Sequence, residues 1–195
     1  PTYEYALGNS TPLSSADLPA YEKRYHGPFN VTIGRLLHVQ QWTRPDLNYA
    51  ISRLAVFLKA PSAMAFEALD HLMHYLFHHS HEPIFYPSRK LTDNEIITYH
   101  WSKNQSSSYS TFSSFVFYSD SAFGNILPHR RSMQSHKTTL NGVIIDWSSN
   151  IQSKVAADST DAEVIALYAT CRKAIALRHF LASGQFPPDL LPPAL

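Results

Sequence analysis

At 195 residues, with 44% hydrophobic and 16% charged residues, the chain is long and apolar enough to bury a core and excludes a disordered polyelectrolyte. A net charge of +1 excludes a molecule-wide field that would gather nucleic acid, so any basic surface is local, and the 11 histidines add charge only in mildly acidic solution. The single cysteine, Cys171, excludes an internal disulfide framework and fits a reducing compartment, and there is neither an apolar run of ~20 residues nor a charged-then-apolar leader pattern.

Residues 1–30 are rich in Pro, Ser, Tyr and Ala without a lasting period and read as an extended lead-in; the first residue is Pro rather than Met, which points to a fragment. Residues 31–83 read as a helical region. Ile33–His38 suggests a short helix, and Asp46 is placed to cap a second over Leu47–Lys59, with Leu47, Ala50, Ile51, Leu54, Phe57 and Leu58 on one face. Pro61 breaks it, and Ser62 can start a third helix to about His79 with Phe66, Leu69, Leu72, Met73, Leu76 and Phe77 apolar, giving a helical hairpin. His71, His74 and His78 share a face of that helix, but no cysteine or second ligand cluster completes a tetrahedral metal set. Residues 84–111 hold two short strand candidates, 84–86 and 96–99, and a polar linker over 102–110.

The last unit, residues 112–195, carries the chemistry. Phe112–Asp120 reads as a central strand, apolar on both faces and closed by Asp120; an acid there is a turn former or a held functional group. The connection from Asp120 to Lys137 carries His129, Arg130, Arg131, His136 and Lys137, a basic stretch suited to phosphate contact or to a solvated loop. The apolar run Gly142–Ile145 ends in a polar turn, Ser148-Ser149-Asn150. A long helix follows, with Ser159 or Thr160 as N-cap, Asp161 and Glu163 in its first turn, and Ala162, Ile165, Ala166, Ala169, Ile175 and Leu177 as its apolar face. Glu163 is either a surface cap or a functional carboxylate beside that face.

The ordered blocks FYSDSAFG, Arg130-Arg131-Ser132, NGVIIDWSSNIQ and DSTDAEVIAL resemble the YSDADWAG, RKSTSG, WSSKKQ and SSTEAEYIAL blocks of the ribonuclease H domain of copia-type retrotransposon polyproteins. Upstream, IGRLLHVQQWTRPDLNYAISRLAVFL is similar to the family's GSLLYLANTTRPDIAYAVSRLSRFL, which joins the reverse transcriptase palm to ribonuclease H. Thr43-Arg44-Pro45-Asp46 is its most specific part, read as structural, with Arg44 in a salt bridge. The resemblance implies an α+β fold: a helical hairpin, then a truncated ribonuclease H-like unit of antiparallel strands and the first long helix.

It further implies that Asp120 and Glu163 are catalytic, metal-binding acids holding Mg²⁺ or Mn²⁺, two ions in a complete domain, for hydrolysis of the RNA strand of an RNA–DNA hybrid. Arg130, Arg131 and Lys137 become candidates for the nucleic-acid backbone, as do the family's basic positions near His71–His81. Ser148, Ser149, Ser159 and Thr160 become candidates for the 2′-hydroxyl. The family's third acid lies on a strand after the long helix, in a block like YCDNQSA. Here QFPPDLLPPAL follows, and Asp189 between prolines does not match it, so the truncated chain is expected to be inactive. Expected partners are the hybrid and the remainder of the Pol polyprotein, with no membrane, inside the cell in cytoplasm or nucleus. The alternative is a non-catalytic nucleic-acid-binding or structural remnant. A serine hydrolase lacks G-x-S-x-G, a P-loop is absent, and no paired-Asp hairpin supplies polymerase acids.

Overall fold

The computed structural model of the protein describes residues 3–25, 27–81, 84, 115–127, 129–140 and 143–184. In chain order the elements are α1 (Tyr3–Gly8), α2 (Leu18–Arg24), α3 (Phe29–Trp42), a 3-10 turn (Pro45–Leu47), α4 (Asn48–Leu54), a second 3-10 turn (Ala55–Phe57), α5 (Ala63–His78), β1 (Phe115–Ile126), β2 (Arg131–Leu140), β3 (Val143–Ile151) and α6 (Ser159–Ser183). Helices come first, then an antiparallel sheet and one long helix, the α+β class expected from the sequence. The linker, the strand candidates of residues 84–111 beyond Ile84, and Asp189 lie outside the described residues.

Apolar residues at helical spacing build the first core. Phe29, Ile33 and Leu36 of α3, Leu47, Ile51 and Leu54 around α4, and Ala65, Phe66, Leu69 and Leu72 of α5 are all buried against one another. The described residues of this 1–30 lead-in are not extended throughout. They hold α1 and α2, and Tyr21 and Tyr25, one turn apart on and just beyond α2, set their rings 5.7 and 5.4 Å from that of Phe66. Long-range packing, not local period, orders this segment. The link between α1 and α2 is fastened to the start of α5: Leu13 N donates to Pro61 O, and the Ser10 hydroxyl to Ser62 Oγ.

Ser62 caps α5 as its sequence position suggests, its Oγ accepting from Ala65 N at 3.1 Å. Met73 and Phe77 lie outside the buried stripe, Phe77 at 76% exposure. Asp46 does not cap α4. Its carboxylate takes both prongs of Arg44, Nε to Oδ1 at 2.9 Å and Nη2 to Oδ2 at 2.7 Å, and a bond from the Tyr75 hydroxyl at 3.1 Å. Arg44, buried, sends Nη1 to the carbonyl of His79 just past α5. Burial pulls the Asp46 carboxyl upward, but the Arg44 bonds and charge outweigh it and hold the group below its ordinary range. The motif read as structural therefore ties the α3–α4 turn to the end of α5.

The sheet order is β1-β2-β3, antiparallel throughout. Four expectations change here. β1 runs on past Asp120 to Ile126, because Ser121 and Ala122 pair with Gln134 and Met133, and a bulge then absorbs the turn residues before Ile126 meets Arg131. Gly124, at φ +60°, supplies that bend, with its N–H bonded to Ser132 Oγ and Asn125 Oδ1 accepting from Met133 N. The basic stretch is thus a hairpin rather than a connecting loop. Ser148, Ser149 and Asn150 are not a turn but part of β3, in register with His136, Ser135 and Gln134. Among the described residues β1 is also an edge strand, not a central one.

Side chains alternate between the two faces of the sheet. The face carrying Ser119, His136 and Ser148 lies under α6, which presents Ala162, Ala166, Thr170, Ala174 and Leu181 as its buried stripe; Ile175, expected there, is exposed. The opposite face carries Tyr118, Asp120, Lys137 and Trp147 and meets the helical region. There the Trp147 indole N–H donates to Gln40 O at 2.8 Å and the Ser52 hydroxyl to Ser149 O at 2.6 Å. Replacing Arg44 by Met strands the Asp46 carboxylate and the His79 carbonyl. Because Asp46 is partly exposed, the expected loss is about 2–3 kcal/mol in urea unfolding, with Arg44→Lys losing roughly half as much through the missing second prong.

Candidate functional site

The site begins with how α6 starts. Asp158, extended at φ −147°, accepts from Asp161 N at 2.7 Å and is the true N-cap, in place of Ser159 or Thr160. Asp161 reaches back to accept from Ala157 N at 2.9 Å, a reciprocal pair that fixes the phase of the helix. Ala162 and Ala166 then face the sheet, and their small side chains let the helix lie close to it. The next position, Glu163, projects at the rim of β1, just past the first turn in which the sequence suggests it. Its Oε1 accepts from the backbone N–H of Ser121 at 3.2 Å.

Asp120 is the residue before that amide. The two acids therefore flank one peptide, Asp120 on the face toward the helical region and Glu163 approaching from α6. Both are exposed carboxylates. Hard oxygen donors of this type suit a small divalent cation. Among the described residues, however, no group of three or more His, Cys, Asp or Glu side chains converges on a point where a metal ion would sit. The histidine face of α5 forms none either: His71, His74 and His78 are exposed, with His74 3.7 Å from Asp70.

On the Asp120 side lies a cleft of about 320 Å³. Its floor is the sheet, with Tyr118, Asp120, Ser135, Lys137 and Trp147, and its wall includes Pro45, Asp46 and Asn48. Lys137 is half-buried, and burial holds its ammonium below the usual lysine range. The Nζ stands 4.4 Å from the centroid of the Tyr118 ring. Arg130, in a left-handed turn conformation at φ 49°, and Arg131, at the start of β2, are exposed on the hairpin; Ser159 and Thr160 are exposed at the start of α6. Ser149 is buried beneath Ser52.

On the other face the structure assembles a cluster the sequence reading did not identify. His136, its side chain 8% exposed, has Nε2 2.9 Å from Asp146 Oδ2 and Nδ1 2.7 Å from Ser148 Oγ. Lys173 of α6 adds Nζ contacts to His136 Nε2 at 2.9 Å and to Asp146 at 3.4 Å. The His136 hydrogen bond, followed by the Lys173 charge, holds the Asp146 carboxyl below its ordinary range against the opposing effect of burial. Only cross-strand register makes the cluster visible: Ser148 faces His136, and Asp146 is one same-face step along β3. Ser148 lies within a strand with Asn150 Nδ2 bonded to its oxygen, and no turn presents it as a nucleophile. The cluster pins α6 to β2 and β3.

Comparison with known proteins places the chain near transposon-encoded polyproteins at low identity. It is 25% identical over 154 residues to the retrovirus-related Pol polyprotein from transposon TNT 1-94 of Nicotiana tabacum, a match covering 79% of this chain and 10% of that protein. It is 29% identical over 162 residues to a transposon Ty5-1 protein of Saccharomyces cerevisiae, covering 82% of this chain and 44% of the relative. A third relative, secreted RxLR effector protein 161 of Plasmopara viticola, is 26% identical over 148 residues, covering 76% of this chain and 89% of its own length. No family model and no solved structure matches. These similarities support a transposon-derived chain, and it spans only a small part of the tobacco polyprotein and less than half of the yeast protein. No described helix is long and apolar enough to cross a membrane.

Two outcomes follow from the charges. Asp146 has a lowered folded-state pKa, so its contribution is present above the unfolded value of about 3.8 and is lost as pH falls through the folded one. Asp146→Asn should lower stability at neutral pH and flatten its decline below pH ~4 in denaturant titrations. Lys137, desolvated and without a carboxylate partner among the described residues, is expected to cost stability while charged. Lys137→Met should leave the melting temperature unchanged or raise it by up to about 2–4 °C in a calorimetric scan.

Proposed function

We propose that this chain is the part of a copia-type Pol polyprotein that joins the reverse transcriptase to its ribonuclease H, and that Asp120 and Glu163 are two of the acids of the hydrolytic site. The observation that carries this reading is the bond from Ser121 N to Glu163 Oε1. It brings the helix acid to the peptide next to the strand acid, across the whole β2–β3 hairpin. Similarity to the tobacco and yeast transposon proteins supports the same parentage.

The donor chemistry fits Mg²⁺ or Mn²⁺ in kind but not in number. Two carboxylates offset half the charge of two divalent ions, and the described residues bring no third acid to the place. Two such ions, when bound in a complete domain, stabilise the attacking and leaving oxygens of a phosphodiester undergoing hydrolysis. No catalytic step is assigned to this chain by itself. What its own residues do is hold two acids at a fixed separation: the Asp158–Asp161 cap and the Lys173–Asp146–His136 cluster set α6, and the β1–β2 ladder sets Asp120. The exposed Arg130 and Arg131 provide charge for a nucleic-acid backbone close by. The substrate of the parent protein, on this reading, is the RNA strand of an RNA–DNA hybrid, met inside the cell.

The test is to sequence the genomic locus on both sides and express the protein extended through the next acid-bearing strand. The extended protein should cleave a labelled RNA–DNA hybrid only with Mg²⁺ or Mn²⁺. Asp120→Asn or Glu163→Gln should each reduce cleavage at least about 100-fold, equivalent to ~2.7 kcal/mol, while the 195-residue chain should give none. A locus with no such strand, or cleavage that survives both substitutions, would remove the hydrolytic reading.

A further inference from the structure

One register row of the sheet reads Tyr118, Lys137, Trp147 across the three strands. These residues are far apart in sequence, and the row exists only because two hairpins align. It forms the floor of the cleft against Pro45, Asp46 and Asn48. The two aromatic residues differ in their state. Tyr118 lies under the Lys137 ammonium, whereas Trp147, which lines the cleft, is tethered by its indole bond to Gln40 O.

Lys137 is the informative member. A half-buried ammonium is normally met by a carboxylate. Among the described residues the ion pairs are those of Arg44, His74, His136 and Lys173, and Lys137 takes part in none of them. Asp46, in the cleft wall, is already committed to Arg44. A desolvated cation beside an aromatic plane, in a space of about 320 Å³, suits an anionic group carried on a planar ring. We propose that this cleft takes one unpaired nucleotide of a single-stranded nucleic acid, its phosphate on Lys137 and its base against Trp147. Bases within a duplex are stacked on one another and have no face to offer Trp147, so paired strands are excluded from the pocket. Asp120, in the next register row on the same face, repels a second phosphate and limits occupancy to one nucleotide. Asn48 and Ser135 supply hydrogen-bonding groups for sugar or base edge. The inference goes beyond the hydrolytic reading, since it needs no metal and no further acid.

The experiment uses the full chain in EDTA at fixed low ionic strength, with fluorescence anisotropy of labelled decauridylate and of an abasic decamer of equal charge. Decauridylate should bind at least about 10-fold more tightly than the abasic strand, which isolates stacking from phosphate charge. Lys137→Met should weaken decauridylate binding about 10-fold or more, and Lys137→Arg should restore most of it. On the unaltered chain, decauridylate should protect the Lys137 amine from acetylation, read by peptide mass spectrometry, so the result does not depend on a variant that folds. Equal binding of the two strands, or no protection of Lys137, overturns the proposal. Loss of hybrid cleavage with this binding intact would count against the hydrolytic site alone, and the reverse pattern against the cleft alone.

Discussion

Two hydrogen bonds dock β3 on the helical region and set the geometry of the cleft beside Lys137. The Trp147 indole reaches Gln40 O, and the Ser52 hydroxyl reaches Ser149 O, so β3 is docked on α3 and α4. Both donors are partly buried and costly to leave unpaired, which makes the docking directional in a way that apolar contact alone is not. The cleft beside Lys137 is what remains between the docked surfaces. Its wall, the Pro45–Asn48 turn, is rigid because Arg44 and Asp46 lock it to the end of α5.

The two faces of the sheet are stabilised by different physics. The helical region has a continuous apolar core from Leu7 to Leu72, with the Tyr21, Tyr25, Phe29 and Phe66 rings packed together. Under α6 the large apolar residues are few. Alanines allow close approach, and the layer is held by the His136–Asp146–Ser148–Lys173 cluster, while Ser119, Ser121 and Gln134 keep buried polar atoms that have no partner among the described residues. A layer built on oriented polar contacts fixes the helix in one rotation, which sets where Glu163 lies relative to Asp120. It gains less from burial than an apolar layer would, since each polar group must be desolvated and re-paired.

The helical core, the α+β order and the cap at Ser62 were legible because each rests on local chemistry: a 3.6-residue apolar period, a Pro-Ser break, a hydroxyl three residues before a free amide. The Arg44–Asp46 pair was legible as a structural element from its motif. The long helix was legible, but its cap moved to Asp158, because several adjacent polar residues can each accept from a first-turn amide and only the backbone path selects one. Asp120 and Glu163 were legible as residues, whereas their meeting at the Ser121 amide was not, since it depends on how closely alanines let α6 approach β1.

What the sequence by itself determined is therefore the helices from Ile33 onward, the existence of β1 and the long final helix. Tertiary structure alone decided the extent of β1, its place at the edge of the sheet among the described residues, the packing of Tyr21 and Tyr25 onto Phe66, and the two cross-strand constellations. The physical reason is register. A strand's side chains change face with every residue, so which of them become neighbours depends on bulges and turns such as those at Gly124 and Thr138–Thr139, which pattern along the chain does not fix. The row Tyr118–Lys137–Trp147 and the cluster around His136 are products of that alignment, one on each side of the same sheet.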